Sequence, residues 1–177
     1  MYNEDKEELQ DTLRGLMDNY NELRDDTSLN FKSEDMVVFL ICDGFDRITD
    51  DFKQFAKDKG LFNWDFIKEA GYMKENRQGN WVMKDMLDII EKPNKMATNL
   101  VHLGMVSTWD FGHKEDHLKR RRINFIFGIK QRNDGKINSH RWFYQGICEY
   151  LKPELCLMLD IGTRPGEHSI YKLFKYM

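Results

Sequence analysis

Two aspartates each follow directly on an apolar run: Asp43 closes Met36 to Cys42 and Asp160 closes Leu155 to Leu159. In an open α/β sheet, nucleotides and metal ions collect at the carboxyl ends of the strands, so both carboxylates stand where such ligands would bind. Position alone leaves a plainer reading open, in which each is a turn aspartate that starts the next loop. The other candidate chemistry is weaker. His113 and His117 have the i, i+4 spacing of a metal-binding helix, and His102, Asp110, Glu115 and Asp116 are near in sequence. The second-place glutamate of a zinc protease helix is missing, however, and a polar surface turn explains the cluster more simply. Cys42, Cys148 and Cys156 are odd in number, lie within apolar runs and are not spaced as a metal site, which reads as reduced core thiols.

The elements that must position these residues can be read from periodicity. Ile123 to Lys130 is an apolar, β-rich run of buried-strand type, followed by the turn-like Asn133, Asp134 and Gly135. Ser139 then caps an expected helix whose apolar face is Phe143, Ile147, Tyr150 and Leu151, until Pro153 stops it. Leu155 to Leu159 is the next expected strand, completing a βαβ unit that ends on Asp160 and is broken by Gly162, Pro165 and Gly166. Upstream, Leu9, Leu13, Leu16, Tyr20 and Leu23 recur at helical spacing, with Glu4, Asp5, Glu7 and Glu8 where the helix dipole favours negative charge. Met36 to Cys42 is continuous enough to predict burial on both faces, as in a parallel sheet.

Thr49 is placed to cap a short helix running through Asp58 to Gly60. Val101 to Phe111 alternates imperfectly and reads as a further strand. The last element, from Gly166, puts Ile170, Leu173, Phe174 and Met177 on one helical face.

Against that background two blocks, KINSHRWF at Lys136 to Phe143 and LCLMLDIGTRPG at Leu155 to Gly166, resemble paired motifs of the chitin synthases, processive family 2 glycosyltransferases. MYNED at Met1 to Asp5 and VVFLICDG at Val37 to Gly44 resemble the first two nucleotide-binding motifs of that family, in the same order. VHLGMVSTWDF, Val101 to Phe111, extends the likeness more loosely, leaving roughly residues 55 to 98 without it.

The resemblance implies a fold and a chemistry. The fold would be α/β, a GT-A-type (Rossmann-like) nucleotide-sugar-binding domain with a mostly parallel sheet and flanking helices. It would be a single partial domain over residues 1–177, with a family-variable insertion at about 61–98 and with the strand that precedes the first motif absent. The donor would be UDP-N-acetylglucosamine and the acceptor a growing chitin chain. Tyr2, Asn3, Glu4 and Asp5 would line the uridine pocket, and Asp43 would meet the uracil or ribose. Lys136 would contact the diphosphate as a point charge, with His140 and Arg141 orienting the donor, although a role in capping and solvating a helix competes for both. Asp160 would hold Mg or Mn against the phosphates. Gly162 stands where glycosyltransferases in general carry a second aspartate, a departure that the chitin synthases share.

The catalytic base, in a Glu-Asp-Arg motif, and the acceptor site, in a Gln-x-x-Arg-Trp motif, are expected beyond Met177, so this chain is expected to be inactive alone. Many relatives have an arginine directly after the Asp-Gly pair, where this chain has Phe45 and then Arg47. That leaves a cation contact there in doubt.

The parent enzyme would sit in the plasma membrane with this domain on its cytoplasmic side. A second synthase chain or a second copy of this one is a possible partner. The alternative from a different class is a non-catalytic remnant or partner-binding module that retains the fold.

Composition agrees with one domain: 177 residues with 41% hydrophobic content suffice for a core. A net charge of -3 with bases and acids interspersed argues against a nucleic-acid partner. The run Lys119 to Arg122 is read as a solvated charge patch. Trp64, Phe66, Tyr72 and Trp81, with Met83, Met86, Leu87 and Ile90, are read as packing residues rather than sugar-stacking ones.

Overall fold

The computed structural model describes residues 4–69, 73–83, 101–108 and 123–177. Its first helix, α1 (Lys6–Asp25), begins because Asp5 and Glu8 form a capping box: the Asp5 carboxylate accepts from Glu8 N at 2.8 Å, and Glu8 accepts in turn from Asp5 N at 3.2 Å. Leu9, Leu13, Leu16, Tyr20 and Leu23 are buried, as their spacing predicts. Strand β1 (Val37–Cys42) comes next, then a 3-10 turn (Phe45–Arg47), then α2 (Asp50–Asp58). Thr49 caps α2 by accepting from Phe52 N, and Gly60 ends it at φ +65°.

The short helix α3 (Trp64–Glu69) leads to the hairpin strands β2 (Met73–Glu75) and β3 (Trp81–Met83). Two longer strands come next, β4 (Val101–Thr108) and β5 (Ile123–Lys130). The main sheet has the order β1-β5-β4, with β5 parallel to β1 and antiparallel to β4.

This corrects the expected sheet in two ways. The described sheet is mixed rather than mostly parallel. The strand buried on both sides is the central β5, whereas β1 buries Leu40 and Cys42 and leaves Val37 exposed, because among the described residues β1 pairs with β5 alone. Aromatic rings fill the space over β5: Phe127 stacks on Phe52 at 5.7 Å and meets Phe62 and Trp64, and Trp64 also meets Phe45. Trp64 is therefore a core residue, as its sequence context suggests. Trp81 is half exposed under the Lys68 ammonium. Tyr72, Met86, Leu87, Ile90, Asp110, His113, Glu115, Asp116, His117 and the run from Lys119 to Arg122 lie outside the described residues.

After β5 the helix begins at Lys136, with Gly135 as its cap, so Ser139 lies inside it rather than at its start. This helix, α4 (Lys136–Arg141), continues without a break into a π-helical stretch, Trp142–Cys148, and a last α-turn, Glu149–Leu151. Phe143 stacks on Phe39 of β1 at 5.8 Å, which docks the helix against the sheet. A π-turn takes more residues per revolution than an α-turn, so it rotates the residues after it out of the α-helical register. Tyr150, 87% exposed, and Leu151 have thus left the apolar face that the spacing assigned to them.

Lys152 then takes a left-handed conformation at φ +49°, and Pro153 prevents helix continuation. The chain from there to Asp160 has no strand, which overturns the expected βαβ unit. Leu155, Leu157 and Met158 are 44%, 49% and 44% exposed, and only Leu159 and Ile161 pack against the core. A short apolar run carries no pairing partner in its pattern, and among the described residues no strand edge engages this one. Cys156 is exposed in this segment with its Sγ 3.7 Å from Sγ of half-buried Cys148, so only Cys42 is the core thiol expected of all three.

The final helix, α5 (Ser169–Tyr176), packs along α1. Its first amides are satisfied by the buried Asn19 of α1, whose Oδ1 accepts from Ile170 N at 2.8 Å. Phe174 meets Phe31 edge-on, while Leu173 and Met177 face solvent, so the predicted apolar face is only half used.

Candidate functional site

The carboxyl ends of β1 and β5 lie side by side, because the parallel register pairs Cys42 with Ile129. Asp43 follows one strand and Lys130 ends the other. The Asp43 side chain is 11% exposed, and its Oδ1 accepts from Lys130 Nζ at 2.6 Å and from Asp134 N at 3.1 Å. Lys130 has no exposed surface. Its ammonium also reaches Ser139 Oγ at 3.3 Å and the Gly135 carbonyl at 3.4 Å, so it links the end of β1 to the start of α4.

Gly44 carries the chain out of β1 at φ +100°, and a Cβ there would stand 2.6 Å from Asn133 N. Only glycine permits that approach. The two turns flank an open cleft of about 430 Å³ lined by Gly44, Asp46, Arg47, Arg132 and Asn133. Phe45, at the position where the resemblance leads one to expect arginine, is turned into the core against Trp64. Arg47 and Arg132 both line the cleft, one from each turn.

Asp160 does not reach this end of the sheet on a strand. It sits in a turn closed by Thr163 N bonding to its carbonyl at 3.1 Å, and Gly162, at φ +87°, donates its N–H to Thr12 Oγ1 of α1 at 3.0 Å. That bond sets Asp160 beside the start of α1. The Asp160 Oδ1 accepts from Lys136 Nζ at 2.7 Å, both side chains being well exposed. The Lys136 hydrogen bond, and next its charge, hold the Asp160 carboxyl below the usual carboxylate range, with a smaller contribution in the same direction from His140. Lys136 and His140 are one turn apart on α4, which explains why both act on Asp160. Arg141 instead lines a smaller cavity of about 260 Å³ with Asn138, Trp142, Gln145 and Gly146.

At the end of β1, directly before Asp43, burial pushes the Cys42 thiol up to about 12, with a smaller contribution in the same direction from Glu4. The Oδ1 of Asp5 is engaged in capping α1. Tyr2 and Asn3 lie outside the described residues. His102 makes a 2.6 Å hydrogen bond with Gln131. Among the described residues no group of three His, Cys, Asp or Glu side chains is placed to hold a metal.

Of the residues singled out from sequence, the structure brings Lys136, His140 and Asp160 together. Asp43 is placed at the strand ends as expected, but it is engaged by Lys130, which the motifs do not single out. The signal for Lys130 is present in the sequence: it closes a continuous apolar run of buried-strand type, in which an ammonium needs a partner. Nothing local in the sequence foretells the Gly162–Thr12 contact, which joins residues 150 positions apart.

Taken together these features define a mixed α/β domain whose chemistry-bearing side chains gather around the ends of a small sheet and the start of its first helix. A family model described as a chitin synthase-like glycosyltransferase domain matches residues 1–177, and the chain belongs to that family. It is 30% identical to chitin synthase 1 of Saccharomyces cerevisiae over 184 residues, covering 99% of this chain and 14% of that protein. It is 29% identical to chitin synthase 1 of Mycosarcoma maydis over 184 residues, covering 98% of this chain and 18% of that protein. A shorter stretch of 53 residues is 51% identical to chitin synthase C of Aspergillus oryzae, 30% of this chain and 6% of that protein. The chain thus spans less than a fifth of the length of these curated relatives. No helix among the described residues is long and apolar enough to cross a membrane.

Proposed function

We propose that this chain is the donor-binding part of a GT-A-type domain, and that the parent enzyme transfers N-acetylglucosamine from UDP-N-acetylglucosamine, in β-1,4 linkage, to a growing chitin chain. In that parent the domain would face the cytoplasm from the plasma membrane. The observation that carries the reading is the meeting of Lys136 with Asp160 next to the strand ends that hold Asp43, in a chain matched throughout by the family model.

A UDP-sugar presents three things to a protein: a flat base with an N–H donor, ribose hydroxyls, and a diphosphate with its divalent ion. Asp43 suits the first two, since its Oδ2 takes part in none of the bonds that fix Oδ1. Lys136 suits the diphosphate, and Arg47 and Arg132 bring guanidinium groups, beside the Asp46 carboxylate, to the cleft between the two turns. Glu4 and Asp5, with Tyr2 and Asn3, are assigned to the uridine end. His140 and Arg141 are assigned to orienting the donor.

Asp160 fits Mg or Mn. It is an exposed, ionised oxygen donor, and Mg is commonly held by one or two carboxylates with substrate phosphates and water completing the shell. When bound, the ion would neutralise charge gathering on the departing UDP. The chain's own part is to release Asp160 from Lys136 and turn that ammonium to the diphosphate.

The test is calorimetric titration of the chain with UDP-N-acetylglucosamine, with and without manganese, repeated on Asp160→Asn. Manganese-dependent binding that disappears in the variant is expected. A folded wild-type chain that binds no UDP-sugar under either condition would instead favour a partner-binding module.

A further inference from the structure

We infer that Lys130 is a positioning residue for the donor, acting through Asp43; this rests on the donor-site reading above and deepens it. Its ammonium is wholly buried and ties together two pieces of chain: Asp43 after β1, and the start of α4 through the Gly135 carbonyl at its N-cap and Ser139 Oγ in its first turn.

A buried ion pair is a poor device for stability alone, since well-packed apolar residues of similar volume do as well or better. It is a good device for orientation. Oδ1 of Asp43 is held by two donors, Lys130 Nζ and Asp134 N, approaching from β5 and from the turn after it. The carboxylate plane cannot rotate without breaking both bonds, so Oδ2 is presented in one direction to a ligand N–H or O–H. The same ammonium sets the spacing between Asp43 and the first turn of α4, where Lys136 is mounted. Lys130 therefore fixes the distance between the group that reads the nucleoside and the group that meets the diphosphate, without touching either part of the ligand. A ligand of another length would engage one of the two and miss the other.

The experiment is a double-mutant cycle on the full 177-residue chain, with UDP as the probe, affinity read by calorimetry and folding checked by circular dichroism and melting. Lys130→Met and Asp43→Asn should each weaken UDP binding by about tenfold or more. The double variant should bind no more weakly than Asp43→Asn alone, because Lys130 acts only through that carboxylate. Losses that add in the double variant, or a folded Lys130→Met that binds UDP as the wild type does, would overturn the inference.

Removing one buried charge can prevent folding, so Lys130→Arg is measured in parallel. It keeps the charge, but the broader guanidinium cannot reproduce the single short contact, and weakened UDP binding by a folded protein is expected. Wild-type affinity in that variant would also overturn the proposal. Failure of the wild type itself to bind UDP would count against the donor-site reading and is seen before any variant is made.

Discussion

Lys136 and Asp160, 24 positions apart, meet at 2.7 Å where the start of α4 faces the turn that Gly162 anchors to α1. The two residues assigned to the diphosphate and to the cation thus neutralise one another when no ligand is held. On the proposed assignment, a divalent ion and the Lys136 ammonium would compete for the same carboxylate, and binding of ion and diphosphate would be concerted. Lys136→Met is expected to have opposite effects on two ligands. Manganese alone should bind more tightly, because Asp160 is released from its partner, whereas UDP should bind more weakly in the presence of manganese. Paramagnetic broadening of Asp160 resonances reports the first and calorimetry the second, and equal effects on both would contradict the exchange.

The turn after β1 depends on one missing side chain. Gly44 is at φ +100° and a Cβ there would stand 2.6 Å from Asn133 N and 3.1 Å from Arg132 C, both backbone atoms that cannot swing aside. Gly44→Ala is expected to cost about 1–3 kcal/mol through backbone strain, and to push apart the two turns that flank the cleft lined by Asp46, Arg47 and Arg132. Urea unfolding measures the first effect. UDP affinity, titrated without denaturant, measures the second, and a variant with an unchanged unfolding midpoint would show that the two turns are not held this close.

Three cysteines in three settings give an ordered chemical signature. Cys42 is fully buried in β1 with its thiol pushed up to about 12, Cys148 is raised to about 11 by burial and by its contact with Cys156, and Cys156 is exposed. Only the thiolate is nucleophilic, so raised values slow alkylation. Iodoacetamide at neutral pH should label Cys156 first, Cys148 more slowly, and Cys42 only on unfolding. Peptide mass spectrometry resolves the order, and early labelling of Cys42 would contradict the burial of β1.

How far each feature is legible in the sequence depends on how local its cause is. The capping of α2 by Thr49 and the apolar stripe from Leu9 to Leu23 are settled within a few residues of chain, and each is found where the pattern puts it, whereas Asp5, read only as charge favoured by the dipole, proves to be the cap of α1. The place of Asp43 is legible because a continuous apolar run ends directly on it, while position alone does not separate a site residue from a turn aspartate. Leu155 to Leu159 misleads because a five-residue apolar run fits a strand only if an edge receives it, and that condition lies elsewhere in the chain. The face from Phe143 to Leu151 misleads because the π-helical stretch changes the residue count per turn, which no periodicity measured over one helix can anticipate. Lys136 and Asp160 are legible as two residues of one site. That they bond to each other is not, since the turn geometry at Gly162 brings them into contact.

The far end of the molecule offers a test that does not involve the donor. Asp26, just beyond α1, accepts from Ser28 N and Oγ through Oδ1, and from Tyr171 OH at 2.8 Å and Lys175 Nζ at 3.2 Å through Oδ2. It therefore fastens α5 to α1. Hydrogen bonds from Ser28 and then from Tyr171 hold its carboxyl well below the ordinary 3.8. A carboxylate whose value is lower in the folded state than in the unfolded chain contributes stability above the unfolded value, and that contribution is lost as the pH falls through the folded one. Asp26→Asn should accordingly be less stable than the wild type at about pH 6, with the difference shrinking as the pH is lowered toward about 2. Thermal melts of both proteins across that range supply the comparison, and subtracting the two curves removes the carboxylates they share. A difference that stays constant with pH would mean that the Asp26 charge does not hold α5 in place.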